Sequence, residues 1–242
     1  MPGVPAARVV EVHAHRLGRW VAGFEERHGR AVLTVPSPGA PRVAVLLSAP
    51  DGATAALADP WPAAGAGRDV PDGGHQVPAP DGGPAVPVPD AVAALAAHVL
   101  APRRTAVLLV RRGGYACAVV DGGRVTTSKV GNRYVQGRTA AGGWSQQRFA
   151  RRREKQTDEL SGAAADVAAR LLLDPLPAWL ATGGDRPLLD RVLADPRLRP
   201  LRALPRGPHL QVGDPRADLV RSLPELLTRV PVTVTEPAPS RA

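Results

Sequence analysis

Three short strand-like runs, separated by tight turn signals, constrain the fold of this chain more than any other feature. Residues 105–111, 115–121 and 124–130 are rich in Val, Leu, Ala and Thr, and the motifs GG and DGG separate them. Such glycine-containing motifs are typical of tight hairpin connections, so the three runs predict an antiparallel meander. A helical pattern over residues 146–174 follows, with apolar residues recurring every three or four positions.

The remaining C-terminal sequence alternates between helix and strand patterns. Residues 178–182 and 209–212 favour strands, whereas residues 186–194 and 217–229 favour helices, the last one interrupted near Pro224. From residue 105 onward the predicted order is therefore β-β-β-α-β-α-β-α. Three antiparallel strands followed by alternating helices and strands predict an α/β protein, with a ribonuclease H-like mixed sheet and flanking helices.

The N-terminal part predicts a smaller α/β subdomain. Residues 9–29 pass from an alternating segment into a helix, and residues 31–36 and 42–48 favour strands. Residues 60–89 contain eight prolines and six glycines, which indicates a mobile insertion or linker. Asp90 is the predicted cap of a short helix over residues 91–100. The predicted division is an N-terminal α/β segment at 1–50, a linker at 51–89, a domain at 90–236 and a disordered tail at 237–242.

Positive charge is concentrated in residues 129–156, which we call the cationic segment. It holds eight Lys or Arg and one Glu, a net charge of +7 where the whole chain carries +9. A glycine-containing loop that leads into a basic helix start suits a phosphate backbone, although many charge runs are only solvated surface. The predicted RNA-binding residues are Lys129, Arg133, Arg138, Arg148, Arg151, Arg152, Arg153 and Lys155.

Several enzyme classes lack their characteristic residues in this sequence. A two-metal nuclease needs converging carboxylates, but the strand at 105–111 has no acid, and Asp158 and Glu159 are interpreted as solvated helix residues. No G-x-S-x-G, P-loop or dinucleotide motif occurs, so we expect neither a bound metal nor a cofactor. Cys117, the single cysteine, is predicted to be a buried thiol. Without an N-terminal signal pattern or a long apolar run, a cytoplasmic protein is expected.

Within the cationic segment, two glycines precede two glutamines. Glycine backbone at Gly142 and Gly143 permits close approach of N–H groups to a developing oxyanion. The amides of Gln146 and Gln147 do not titrate near neutral pH, so they can orient a water or an alcohol but cannot act as a general base. This set suits a reaction whose other catalytic groups come from elsewhere, such as ester hydrolysis of peptidyl-tRNA inside the ribosome.

The motif GRTAAGGWSQQRFARRR, preceded by KVGNRYVQ after the meander, resembles the actinobacterial branch of the VLRF family. These release-factor-like peptidyl-tRNA hydrolases are related to the central domain of eukaryotic class-one release factors. They are also related to the tRNA-cleaving factor of eukaryotic ribosome quality control. The resemblance covers roughly residues 105–235 and implies a glycine-glutamine loop that enters the peptidyl transferase centre. Trp144 and Ser145 separate the glycines from the glutamines, unlike the release-factor Gly-Gly-Gln triplet.

That departure leaves Gln146, which we favour, and Gln147 as alternatives for the working residue. It also leaves open whether the ester or a tRNA phosphodiester is cleaved. The resemblance implies binding to the large ribosomal subunit and peptidyl-tRNA. A monomer without a membrane association is expected. The alternatives are a non-catalytic ribosome- or RNA-binding factor with the same loop and a protein-interaction module. In the free protein, residues 132–147 are predicted to be disordered.

Overall fold

The computed structural model describes residues 7–34, 43–61, 86–132 and 145–237, with the backbone alone at 145–150. The described strands are β1 Ala7–His13, β2 Val32–Thr34, β3 Val43–Ser48, β4 Thr54–Ala58, β5 Thr105–Arg111, β6 Gly114–Asp121, β7 Arg124–Gly131, β8 Trp179–Gly184, β9 Arg206–Leu210 and β10 Arg229–Thr235. The described α-helices are α1 Leu17–His28, α2 Val88–Leu100, α3 Ser145–Leu172, α4 Arg186–Leu193, α5 Arg199–Ala203, α6 Ala217–Arg221 and α7 Leu223–Leu226. The chain divides into two compact units, Met1–Ala101 with Thr228–Ala242, and Pro102–Leu227.

The unit Pro102–Leu227 is built on a five-stranded sheet in the order β7-β6-β5-β8-β9. The pairs β5–β6 and β6–β7 are antiparallel, which confirms the predicted meander. The pairs β5–β8 and β8–β9 are parallel, since helices connect these strands across the sheet. A mixed α/β sheet with flanking helices is therefore confirmed for this part of the chain.

The central strand β5 is buried on both faces of this sheet, and for this reason its sequence is a continuous apolar run rather than an alternating one. Helices α3 and α4 pack against one face, where they bury Leu160, Leu172 and Leu189. Cys117 on β6 belongs to the same core, which confirms the predicted buried thiol. Burial raises its pKa to about 12, so the thiol stays protonated at neutral pH.

The other unit contains a second five-stranded sheet, in the order β1-β10-β4-β3-β2 with antiparallel pairing throughout. Alternate residues of its strands are buried, as expected for a sheet covered on one face. Helices α1 and α2 supply the apolar side chains that pack with it. The buried helical residues are Leu17, Val21, Phe24, Val92, Leu95 and Val99.

The region predicted as a linker contains an ordered strand. Residues Thr54–Ala58 form β4, which pairs with both β3 and β10, and Ala55 and Leu57 are fully buried. Three alanines give this segment little intrinsic strand preference, so it is the pairing on both sides that makes it a strand. Residues 62–85 lie outside the described residues. Helix α2 begins at Val88 after Pro87, so Asp90 lies in its first turn and does not cap it.

The C-terminal strand β10 also departs from the predicted division. It belongs to the unit of the N-terminal residues and pairs with β1 and β4, whereas the sequence placed residues 90–236 in one domain. Its alternating valines indicate a half-buried strand, but alternation says nothing about which sheet the strand joins. Strand β9 spans Arg206–Leu210, earlier than the predicted 209–212. Residues 238–242 of the predicted tail lie outside the described residues.

Candidate nucleic-acid interface

The cationic segment leaves the sheet at the edge where the parallel strands end. Gly131, the last residue of β7, pairs with Tyr115 at the start of β6, and Arg111 at the end of β5 pairs with Gly114. Strands β8 and β9 run parallel to β5 and end at the same edge, which we call the carboxyl edge. In open α/β sheets this is the edge at which ligands bind.

Helix α3 begins at Ser145, one residue before its predicted start, so the backbones of Gln146 and Gln147 lie in its first turn. The side chains of these glutamines and of Arg148 are outside what the structure describes. Gly142, Gly143, Arg133 and Arg138 also lie outside the described residues, as does most of the stretch predicted to be disordered. The roles predicted for all of these residues stay predictions.

The described cations of the segment lie on the surface. Lys129 pairs with Cys117 across the sheet, so both side chains are on the face that carries α3. Arg151, Arg152 and Lys155 are exposed and Arg153 is partly exposed. Within the described parts of the chain, none of these five cations has an ion-pair partner. They are therefore free to meet an external anion.

Two acids on α3 form ion pairs with an arginine of the neighbouring helix α4. The Nη2 atom of Arg191 on α4 lies 2.6 Å from Oε1 of Glu154 and 2.7 Å from Oδ1 of Asp158. The hydrogen bond to Glu154 raises the pKa of Arg191, and the charge of Asp158 adds to the effect. Asp158 is exposed, as predicted for a solvated helix residue, and its ion pair with Arg191 was not predicted. The four-residue spacing places both acids on one side of the helix.

The helix dipole makes positive charge at the start of α3 unfavourable when no anion is bound. The first turn of α3 contains no acidic residue, and a run of cations follows. The N-terminal end of a helix carries partial positive charge, so a cation in its first turn, here Arg148, is unfavourable by roughly 0.3–1 kcal/mol. A polyanion at this position would relieve that repulsion. The first turns of α3 thus combine a positive dipole end with the exposed cations Arg151, Arg152 and Lys155, which together favour phosphate binding.

A second polar pair lies along the carboxyl half of the sheet and was not found from the sequence. Oγ1 of Thr182 and Nδ1 of His209 share a hydrogen bond of 3.0 Å between β8 and β9. Burial lowers the pKa of His209, and the charge of Arg186 acts in the same direction, while a hydrogen bond with the Gly184 backbone opposes them. Only the parallel register of β8 and β9 places these residues together.

We expect stability to fall as pH decreases below about 6.5, because the unfolded chain then binds a proton on His209 more readily than the folded protein does. The contribution of His209 is fully present above that pH and is lost on acidification. Melting temperatures measured at about pH 7.5 and about pH 5.5 test this expectation. His209→Asn should show a smaller decrease between the two pH values than the wild type, and an equal decrease would contradict the prediction.

The described residues contain no group of three or more His, Cys, Asp or Glu placed to bind a metal ion. Among the helices that the structure describes, none has the length and apolar character needed to cross a membrane. The interface is thus characterised by arginine, lysine and backbone groups.

Fold and interface together define a two-unit α/β protein with a cationic helix start at the carboxyl edge of a mixed sheet. The chain belongs to the family described as Actinobacteria/chloroflexi VLRF1 release factor, whose model matches residues 103–233, more than half of the chain. This confirms the resemblance of the motif in residues 129–156. A comparison with curated proteins gives no match. Membership indicates a release-factor-like role in translation termination or ribosome rescue, and hence interaction with the ribosome.

Proposed function

We propose that the protein is a cytoplasmic peptidyl-tRNA hydrolase that frees nascent chains from stalled ribosomal complexes. The cationic segment holds rRNA or tRNA phosphates of the large subunit, and a glutamine at the start of α3 positions the nucleophile. The observation that carries the proposal is the group of exposed cations Arg151, Arg152 and Lys155 near the start of α3, in a chain of the release-factor family that has Gln146 in the first turn of that helix. The protein acts as a monomer and without a cofactor.

The sheet geometry supports the same proposal. Three antiparallel strands followed by two parallel strands in the order β7-β6-β5-β8-β9 agree with a ribonuclease H-like fold, to which we assign this unit. Gly131, the last residue of β7, lies at the carboxyl edge, where the segment that leads to α3 begins. We assign Gly142 and Gly143 the role of allowing backbone N–H groups to approach the reacting ester. The first choice for the scissile bond is the ester, with the tRNA phosphodiester as the alternative.

A release assay tests the proposal directly. Large-subunit complexes that carry labelled peptidyl-tRNA are incubated with the protein, and free peptide and intact tRNA are quantified. The expected products are free peptide and full-length tRNA. Peptide that keeps a tRNA 3′ fragment would shift the assignment to phosphodiester cleavage. Binding without any release would favour the alternative, a non-catalytic ribosome-binding factor that uses the same cationic segment.

Ribosome affinity is expected to decrease steeply with salt, because binding to phosphates releases counterions. Replacing Arg151, Arg152 and Arg153 by alanine should lower the slope of log affinity against log salt by roughly 0.7–0.9 for each phosphate that the variant no longer binds. Sedimentation or filter binding over a series of salt concentrations measures this slope.

The matched control for the arginine variant removes three exposed arginines from the other unit. Arg16, Arg19 and Arg30 are exposed, and replacing them by alanine removes the same net charge. The control should change the slope little. Equal slopes for the wild type and the Arg151, Arg152, Arg153 variant would mean that these arginines are only a solvated helix face.

A further inference from the structure

We propose that the opposite edge of the same sheet is a second RNA-binding surface, formed by a row of arginines around Trp179. We call it the amino-edge arginine row. It consists of Arg103, Arg104, Arg124, Arg202 and Arg206. This surface is separate from the cationic segment and does not depend on the chemistry assigned to Gln146.

Strand register places these arginines side by side. Thr105 at the start of β5 pairs with Trp179 at the start of β8, and Leu180 pairs with Arg206 at the start of β9. On the other side, Asp121 at the end of β6 pairs with Arg124 at the start of β7. Arg103 and Arg104 directly precede β5, and α5, which contains Arg202, leads into β9. With neighbouring strands about 4.8 Å apart, the row follows the sheet edge for roughly 19 Å.

Two arginines of the row have unmet hydrogen-bonding capacity. Nη1 of Arg104 donates to Oδ2 of Asp121 at 3.1 Å, but its Nε atom is buried without a hydrogen-bond partner. Arg206 is half-buried, and no described residue forms a hydrogen bond or an ion pair with its side chain. A cation that is partly removed from water without a partner is costly, and a phosphate that accepts from Arg206 would relieve that cost.

The surroundings of Arg206 strengthen this argument. Burial lowers the pKa of Arg206, the negative charge of Asp190 raises it, and the positive charge of Arg202 lowers it by a smaller amount than Asp190 raises it. Two arginines close enough to repel each other form a natural site for a phosphate group, which accepts from both.

An aromatic ring completes the surface. The guanidinium carbon of Arg103 lies 5.9 Å from the centroid of the Trp179 ring, and both side chains are partly exposed. Arginines interleaved with an aromatic residue are typical of surfaces that bind a nucleic-acid backbone and stack one of its bases.

The charge balance favours RNA over an acidic protein segment. Asp121, Asp174 and Asp190 lie at or near this edge, and five arginines outnumber them. The one exposed large apolar side chain in the described connection before β8 is Leu176. Arginine forks and an aromatic face are the groups that suit phosphates and bases.

The two cationic surfaces are separated by the length of the strands. Strand β5 has seven residues, about 23 Å from one edge to the other. One unit can therefore bind an RNA assembly at two places, and the second site raises the overall affinity through a high effective concentration. Removal of either surface should weaken binding without abolishing it.

Arg206→Met provides a test that separates binding from folding. Methionine keeps most of the length of the side chain and removes an unpaired half-buried cation, so the melting temperature should stay the same or rise. Affinity for purified large ribosomal subunits and for a single-stranded oligouridine should fall by about tenfold, as for removal of a charge-assisted hydrogen bond. A lower melting temperature together with unchanged affinity would overturn the proposal and leave Arg206 a structural residue.

A second variant removes the exposed part of the row. Arg103→Ala, Arg124→Ala and Arg202→Ala together should lower the salt slope by about 0.7 for each phosphate that is no longer bound, while the Arg16, Arg19, Arg30 control should not. Polyglutamate serves as an acidic polypeptide probe. Weakened binding to polyglutamate alone would indicate an acidic protein partner, and unchanged binding to every probe would indicate a solvated edge. Either result overturns the proposal, whereas an inactive release assay would leave it unaffected.

Discussion

Gln146→Ala is expected to slow nascent-chain release from stalled complexes by about a hundredfold or more, with ribosome binding nearly unchanged. The expected decrease is that caused by removing one oriented polar group from a preorganised site. The amide cannot take up a proton near neutral pH, so its contribution is positional, and alanine removes it completely. Release rate and binding affinity, measured on the same stalled complex, separate the two effects.

Gln147→Ala is the matched control for this change. Both glutamines lie in the first turn of α3, and consecutive helical positions are about 100° apart around the axis. The two residues therefore cannot both point at one reacting atom, and we expect a much smaller decrease at position 147. Gln146→Glu should be inactive, like Gln146→Ala. The substitution keeps the size of the side chain but adds a negative charge beside phosphates and a developing oxyanion.

The combined results decide between the two glutamines and a non-catalytic role. An active Gln146→Ala with an inactive Gln147→Ala would move the assignment by one residue. Full activity of both variants and of the double variant would exclude catalysis by either glutamine. The chain would then be a ribosome-binding factor that depends on its cations alone.

Leu160→Ala is expected to lower the free energy of unfolding by about 2–5 kcal/mol. Leu160 is fully buried in the core between α3 and the sheet, where it packs with residues of β5, β6 and α4. Truncation removes apolar burial and leaves a cavity that close-packed neighbours fill only in part. Denaturant unfolding followed by circular dichroism measures the change.

Leu176→Ala is the control for this truncation. Leu176 is 43% exposed in the connection before β8, so the same chemical change removes little buried area. We expect a decrease of about 0.5 kcal/mol or less, as for most surface substitutions. Similar decreases at positions 160 and 176 would mean that α3 is not anchored by this core as the structure describes it.

The parts of the fold that were predictable depend on local signals. Glycine turns between apolar runs predicted the meander of β5, β6 and β7, and the apolar repeat after Ser145 predicted α3 to within two residues at each end. Strand β4 was missed because an alanine-rich segment has little strand preference of its own. Strand β10 was assigned to the wrong unit because its partners, β1 and β4, are far away in the chain.

The charge of the candidate site could be read from the sequence, and its role stays a prediction. Charge clustering identified the cationic segment, and four residues of it, Lys129, Arg151, Arg152 and Lys155, are exposed. Contacts across the sheet were not predictable. The ion pairs of Arg191 with Glu154 and Asp158, the pair of Thr182 with His209 and the amino-edge arginine row all join segments that are far apart in sequence.

The sequence by itself determined the meander, the long helix, the cationic segment and the family, because each is carried by neighbouring residues whose spacing and charge are readable along the chain. Only the tertiary structure decided which strands share a sheet, which acids form ion pairs and which arginines come together at the amino edge. These depend on strand register and helix packing. Strand register and helix packing depend on the total burial of side chains over the whole core, which cannot be read from any one stretch of the sequence.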